Sequence, residues 1–205
     1  MKKSVRTLIA LFSIVLMLVS AWVFPGTNIK AAGKEEYKLV PISYAITQGQ
    51  QNAAREAMLY LEYMEFSRQG LIDQLSSLYG GGYSVSEAEY AMEYLEENNL
   101  VDWNEQAYKN AISYIEMMPF SRQGLIDQLT SEYGSQFTTE EAEYAVSTLE
   151  KNKLVDWNEQ AVRDARSYLE MMAFSKQELI NQLSSEYGSK FTKEQAEYAA
   201  SVLGY

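Results

Sequence analysis

Phe66-Ser67-Arg68-Gln69-Gly70-Leu71-Ile72-Asp73-Gln74-Leu75 occurs again, letter for letter, at residues 120–129, and a third time, slightly altered, at 174–183. The step, from 66 to 120 to 174, is 54 residues each time. The same step carries Ala88-Glu89-Tyr90-Ala91 to 142–145 and 196–199, and Val101-Asp102-Trp103-Asn104-Glu105-Gln106-Ala107 to 155–161. A period this long marks one supersecondary unit copied in tandem rather than a single core built once. The surface of the chain is therefore presented up to three times.

Each copy reads as three helices. The first is clearest in the middle copy, where Asp102 and Glu105 have the spacing of a capping box. Ala107, Ala111, Tyr114, Ile115 and Met118 then fall on one helical face, as do Ala53, Ala57, Tyr60, Leu61, Met64 and Ala161, Ala165, Tyr168, Leu169, Met172. Ser67, Ser121 and Ser175 are N-caps for the second helix, whose apolar stripe is Leu71, Ile72, Leu75 and Tyr79 and their copies. Gly80, Gly134 and Gly188 stand where a left-handed C-cap is expected. Gly70 and Gly124 are given no special role, because Glu178 fills their slot in the third copy. The third helix opens on capping boxes, Ser84 to Glu87, Thr138 to Glu141 and Thr192 to Gln195. Its buried face carries Ala88, Ala91, Leu95 and their copies, and Asn98-Asn99 and Asn152 mark its end. Leu100-Val101 and Leu154-Val155 pack the link into the next copy.

The expected architecture is thus all-α: three tandem three-helix, helix-turn-helix-like repeats at 49–102, 103–156 and 157–205, after a signal segment at 1–32 and a leader or linker at 33–48. A unit of this size is marginal alone, and sequence leaves open whether the units stack or sit like beads.

The signal segment rests on Lys2, Lys3 and Arg6, an apolar run over residues 7–24, and small residues at Ala31-Ala32-Gly33. The run also has the length of a membrane span, about 18–20 residues, so an uncleaved anchor is the second reading. Either way the repeats lie outside the cytoplasm, with release favoured over anchoring. Beyond residue 32 the chain holds 13 basic and 28 acidic residues, a net charge of −15. Such a surface repels nucleic acid and anionic lipid and favours basic partners.

The 205 residues include no cysteine and no histidine. That removes thiolate nucleophiles, imidazole bases and Cys/His zinc sites. The clusters Glu140-Glu141-Glu143 and Glu96-Glu97 read as helix starts and solvated faces, and Asp102-Trp103-Asn104-Glu105 is too short for a calcium loop. No catalytic, cofactor-binding or metal residue is assigned, and no enzyme activity is expected. DNA binding is set aside, because the helix that would enter a groove carries Glu87, Glu89, Glu93, Glu96 and Glu97. The candidate partner-binding residues are Arg68, Arg122 and Lys176, a repeated basic spot, with Tyr90, Tyr144 and Tyr198, whose tyrosine-rich character Tyr79, Tyr133 and Tyr187 share. Each competes with a structural reading, as first-turn solvated residues or core tyrosines. Asp102, Trp103, Asp156 and Trp157 are read as the structural joint between units.

The ordered set of these motifs resembles the host cell surface-exposed lipoprotein (Ltp) family, over residues 49–205. The resemblance implies helix-turn-helix-like repeats displayed outside a Gram-positive cell. It further implies prophage-encoded superinfection exclusion, in which incoming phage DNA is blocked through the phage tape-measure protein. One departure stands out. Leu18-Val19-Ser20 looks like the start of a lipobox, but Ala21 stands in place of the cysteine, so no thioether-linked lipid is expected. The alternative function is a general cell-surface or secreted module for the wall or another protein, unrelated to phage.

Overall fold

The structure, a computed structural model, describes residues 46–205. The candidate signal segment, its Ala21 and nearly all of the leader lie outside these residues. Thr47 opens the first helix through a capping box with Gln50, and that helix is α1, Gln48–Tyr63. It is followed by α2, Arg68–Ser76, and α3, Val85–Glu97. The next unit holds α4, Trp103–Met117, α5, Arg122–Thr130, and α6, Thr139–Lys151. The last holds α7, Trp157–Met171, α8, Lys176–Ser184, and α9, Lys193–Val202. Among the described residues there is no strand. The 54-residue period therefore yields an all-α array of three three-helix repeats.

Within a unit the first and third helices make the broadest contact, and the second packs chiefly on the third. Alanines make this close packing possible: Ala107, Ala111, Ala142 and Ala145 are fully buried. Leu125, Ile126 and Leu129 from the second helix fill the space between, with Val146, Leu149 and Phe137. The other units repeat this core, around Leu71, Leu75 and Leu95 and around Leu179 and Leu183. The last residue of the first-helix face departs from the expected pattern. Met118 and Met172 are exposed, because each helix ends one residue earlier.

Tyr60, Tyr114 and Tyr168 bury the ring and satisfy the hydroxyl. Each accepts from a glutamine of the second helix, Gln74, Gln128 and Gln182, at 3.2, 3.2 and 3.1 Å. Each ring meets Phe66, Phe120 or Phe174 edge to face, a favoured quadrupole geometry.

The caps follow the sequence in most places. The boxes at Ser84, Thr138 and Thr192 form as expected, and Ser175–Glu178 adds another. The Asp102 cap is one-sided, however. Its carboxylate accepts from the N–H groups of Asn104 and Glu105, while the Glu105 side chain turns to Lys109 instead. The third helices end in Schellman turns, with Leu100 N–H donating to the Leu95 carbonyl and Asn99 at φ 53°. Lys153 at φ 56° does the same in the middle unit.

The expected C-cap glycines act differently. Gly80, Gly134 and Gly188 do not adopt positive φ; the left-handed residue lies two positions later, at Gly82, Gln136 and Lys190. Glycine is required at 80, 134 and 188 by crowding. A Cβ there would lie 1.9–2.1 Å from the carbonyl oxygen of Gln74, Gln128 or Gln182. Tyr79, placed in the apolar stripe from sequence, stands beyond the end of α2 and is exposed.

Residues 47–205 form one compact unit, and the repeats are joined by specific contacts. The Gln106 side-chain carbonyl, almost fully buried on α4, accepts from Phe66 N–H of the preceding unit at 3.4 Å, and Gln160 accepts from Phe120 N–H at 3.3 Å. Gln136 donates back to Asp73 at 2.9 Å, and Lys190 pairs with Asp127. Arg163 donates to the Ile115 carbonyl at 2.9 Å, satisfying an acceptor near the end of α4.

Gly70 and Gly124 lie beside these seams, although their tightest neighbours are their own capping serines, at 3.1 and 3.0 Å from an added Cβ. A Cβ on Gly70 would lie 3.7 Å from the Ser135 carbonyl of the next unit, and one on Gly124 would lie 3.6 Å from the Ser189 carbonyl. A Cβ fits at these distances, but a longer side chain would extend toward the neighbouring unit. In the third unit no following repeat faces this position among the described residues, and Glu178 reaches its own Ser175 instead. Asn181 likewise replaces Asp73 and Asp127, and in the first unit Gly81-Gly82 replaces the Ser135-Gln136 that reaches back. Gly124→Glu is therefore expected to loosen the second seam, at a cost of about 1–2 kcal/mol from crowding and carbonyl repulsion. The measurement is faster amide exchange at Phe120, whose N–H crosses that seam.

One partly buried position on the first helix differs among the copies. Glu56 accepts from the Tyr83 hydroxyl at 2.8 Å, and Asn110 accepts from Ser135 Oγ at 2.7 Å. Burial pushes the Tyr83 phenol up, with Glu56 adding to the rise. The third copy has Asp164, whose carboxyl is raised by burial, against an opposing hydrogen bond with Ser189. A raised carboxyl favours the fold when protonated, so Asp164 costs stability as pH rises through its folded pKa. Asp164→Asn is expected to stabilise the protein by about 1 kcal/mol or less at neutral pH. The gain should vanish below the ordinary carboxylate range, as read from melting curves across pH.

Candidate partner-binding surface

The basic spot is built at the start of each second helix, where the serine cap holds the backbone and the next residue projects. Arg68 Nε donates to Glu96 at 2.7 Å, and the same oxygen accepts from the Trp103 indole N–H at 2.9 Å. In the middle unit Arg122 binds Glu150 at 3.1 Å and Glu143 at 2.8 Å, and Trp157 donates to Glu150 at 2.8 Å. Hydrogen bonding to Glu143 raises the Arg122 guanidinium further, against partial burial. Gly204 stands where Glu96 and Glu150 stood, and Lys176 donates to the Tyr205 carbonyl at 2.9 Å.

These pairs are partly exposed, so each contributes little by itself. Their consequence is electrostatic: the arginines are neutralised by acids of the third helix. They bring Arg68, Glu96 and Trp103 together at the first seam, and Arg122, Glu150 and Trp157 at the second. Trp103 packs on the core of the first unit and Trp157 on that of the second, each from the first residue of the following helix. Asp102 and Asp156 cap those helices. An open cleft at the first seam is lined by residues 99–104 and Glu141, but the Asp102 and Glu141 carboxylates bond the local backbone.

The tyrosines separate into classes that sequence did not distinguish. Tyr90 is partly covered and stacks on Tyr94, with ring centroids 6.5 Å apart, and its phenol is raised by burial and by Tyr94. Thr148 and Val202 replace Tyr94 in the copies, and Tyr144 and Tyr198 are about half exposed. Tyr79, Tyr133 and Tyr187 stand almost wholly in solvent. Among the described residues no His, Cys, Asp and Glu group is arranged for a metal, and no helix is long and apolar enough to cross a membrane.

The fold and its polar network define a class: a tandem helical repeat array whose recurring polar residues serve largely as caps, seams and neutralised pairs. The description "Host cell surface-exposed lipoprotein", Lipoprotein_Ltp, matches residues 48–95, 102–149 and 156–203, once per unit. The chain belongs to the host cell surface-exposed lipoprotein (Ltp) family. A solved structure of Ltp, a superinfection exclusion protein from the Streptococcus thermophilus temperate phage TP-J34, is similar at 33% identity. The similarity covers 51% of this chain and 98% of that one, with a TM-score of 0.44. No curated protein matches.

Proposed function

We propose that this chain is an exported, non-enzymatic superinfection exclusion protein of a Gram-positive host, which blocks phage DNA entry by binding a phage protein such as the tape-measure protein. The observation that carries this reading is the threefold family match, joined to the 33% identity with a protein described as acting in superinfection exclusion. The acidic surface supports a basic partner, and the repetition supports multivalent engagement. Arg68, Arg122 and Lys176, with Tyr90, Tyr144 and Tyr198, are candidate contact residues in this reading, and the two arginines would have to exchange their glutamate partners to serve. Without cysteine there is no thiol for a lipid anchor, so the protein acts after release, or through an uncleaved N-terminal segment.

The test is to express the full chain in a sensitive host and challenge it with a broad phage panel. For at least one phage, adsorption should be normal while intracellular phage DNA fails to appear. Normal DNA entry for every phage in the panel would overturn the reading. Fractionation of the same cells, into medium, wall and membrane, shows where the blocking protein resides.

A further inference from the structure

Tyr79, Tyr133 and Tyr187 are 90, 92 and 100% exposed. Each sits in the turn after the second helix, immediately before the crowded glycine. Ser77 and Ser131 hydroxyls accept from the N–H groups of Tyr79 and Tyr133 at 3.2 and 3.1 Å. The following glycines donate to the Ser77, Ser131 and Ser185 carbonyls at 3.0, 2.9 and 3.1 Å. The rings are thus held out on fixed backbone, contributing nothing to any core. An aromatic ring kept in water at three matching points is the signature of a contact surface rather than of packing.

The seams set the spacing of these rings. Two residues after Tyr133, Ser135 faces Gly70, and Gln136 binds Asp73 of the preceding unit. Ser189 and Lys190, after Tyr187, face Gly124 and bind Asp127 in the same way. Both seams are built from equivalent contacts, so the step from Tyr79 to Tyr133 is repeated from Tyr133 to Tyr187. The rings therefore recur once per unit, each at the same place in its repeat.

Charge identifies what would fit these rings. Residues 46–205 hold 11 basic and 26 acidic side chains. Exposed Glu132 and Glu186 directly precede two of the tyrosines, and Arg68 and Arg122, at the opposite ends of the second helices, are neutralised by glutamates. A tyrosine face is negative, and beside a carboxylate it suits an ammonium or guanidinium group. We infer that Tyr79, Tyr133 and Tyr187 form a three-point docking edge for an elongated protein segment rich in lysine and arginine. This deepens the phage reading by naming a contact surface, and it rests on that reading only for the identity of the partner.

The test titrates the full chain with a fluorescent helical lysine–alanine peptide long enough to span the three units. The unaltered chain should bind, and Y79A/Y133A/Y187A should weaken binding by about tenfold or more. Y79F/Y133F/Y187F, which keeps the rings, should stay within about threefold. All variants should melt alike, since the side chains are exposed. No binding by the unaltered chain, or equal binding by the alanine variant, would overturn the inference. So would tyrosine-dependent binding to purified peptidoglycan without binding to the peptide. Tyrosine-dependent peptide binding by a chain that excludes no phage would support the edge while removing the phage reading.

Discussion

Leu129→Ala in the middle unit is expected to cost about 2–5 kcal/mol. Leu129 is fully buried, between Leu125 and Ile126 on its own helix and Val146 and Leu149 on the third. Four of the other ten buried residues of this core are alanine. Small neighbours on rigid helices cannot collapse into the cavity, which places the cost toward the upper part of the range. The Leu129 carbonyl also accepts from Phe137 N–H at 2.8 Å, so disturbance would spread to the turn that carries the second docking ring. Because a middle repeat contacts both neighbours, its loss weakens two interfaces at once. Thermal melting should shift by about 2–4 °C for each kcal/mol lost. Leu78→Ala is the control, since Leu78 is 92% exposed and should change stability by no more than about 0.5 kcal/mol.

Gly134→Ala is expected to lower stability by about 2–4 kcal/mol through one methyl group. The added carbon would lie 2.1 Å from the Gln128 carbonyl oxygen, a fixed helix acceptor. That carbonyl receives Ser135 N–H at 3.2 Å, so the turn cannot move away without breaking its own hydrogen bond. Gly82→Ala separates crowding from backbone conformation. Gly82 has φ 68° with open space around it, and its copies are Gln136 and Lys190. Its substitution should cost about 1 kcal/mol. Denaturant unfolding of the two variants, side by side, decides which explanation holds. A larger loss at Gly82 than at Gly134 would restore the left-handed cap as the reason for the glycines.

Much of the fold was legible because local chemistry repeats. Ser67, Ser84, Thr138 and Thr192 satisfy helix N–H groups within three residues, so a short window of sequence contains the whole interaction. The alanine and leucine faces follow helical spacing in the same way. The glycines were misread because their constraint is not local in that sense. Gly134 is fixed by a carbonyl six residues earlier that only the turn brings close, and the same holds for Gly80 and Gly188. The tyrosines could not be sorted for a related reason. Tyr79 and Tyr90 recur with equal regularity, but exposure depends on where the helix stops and what packs over it.

The sequence by itself determined the period, the three helices per unit, most caps and the acidic charge, because these depend on residue identity and nearest neighbours along the chain. Only the tertiary structure decided that the units are joined by seams rather than strung as beads, and that the repeated arginines are neutralised. It also separated three solvent-held tyrosines from those that are packed. Those outcomes turn on atoms brought together from distant positions, such as Arg68 with Glu96 and Trp103, or Asp73 with Gln136. Their geometry is set by packing rather than by any stretch of sequence.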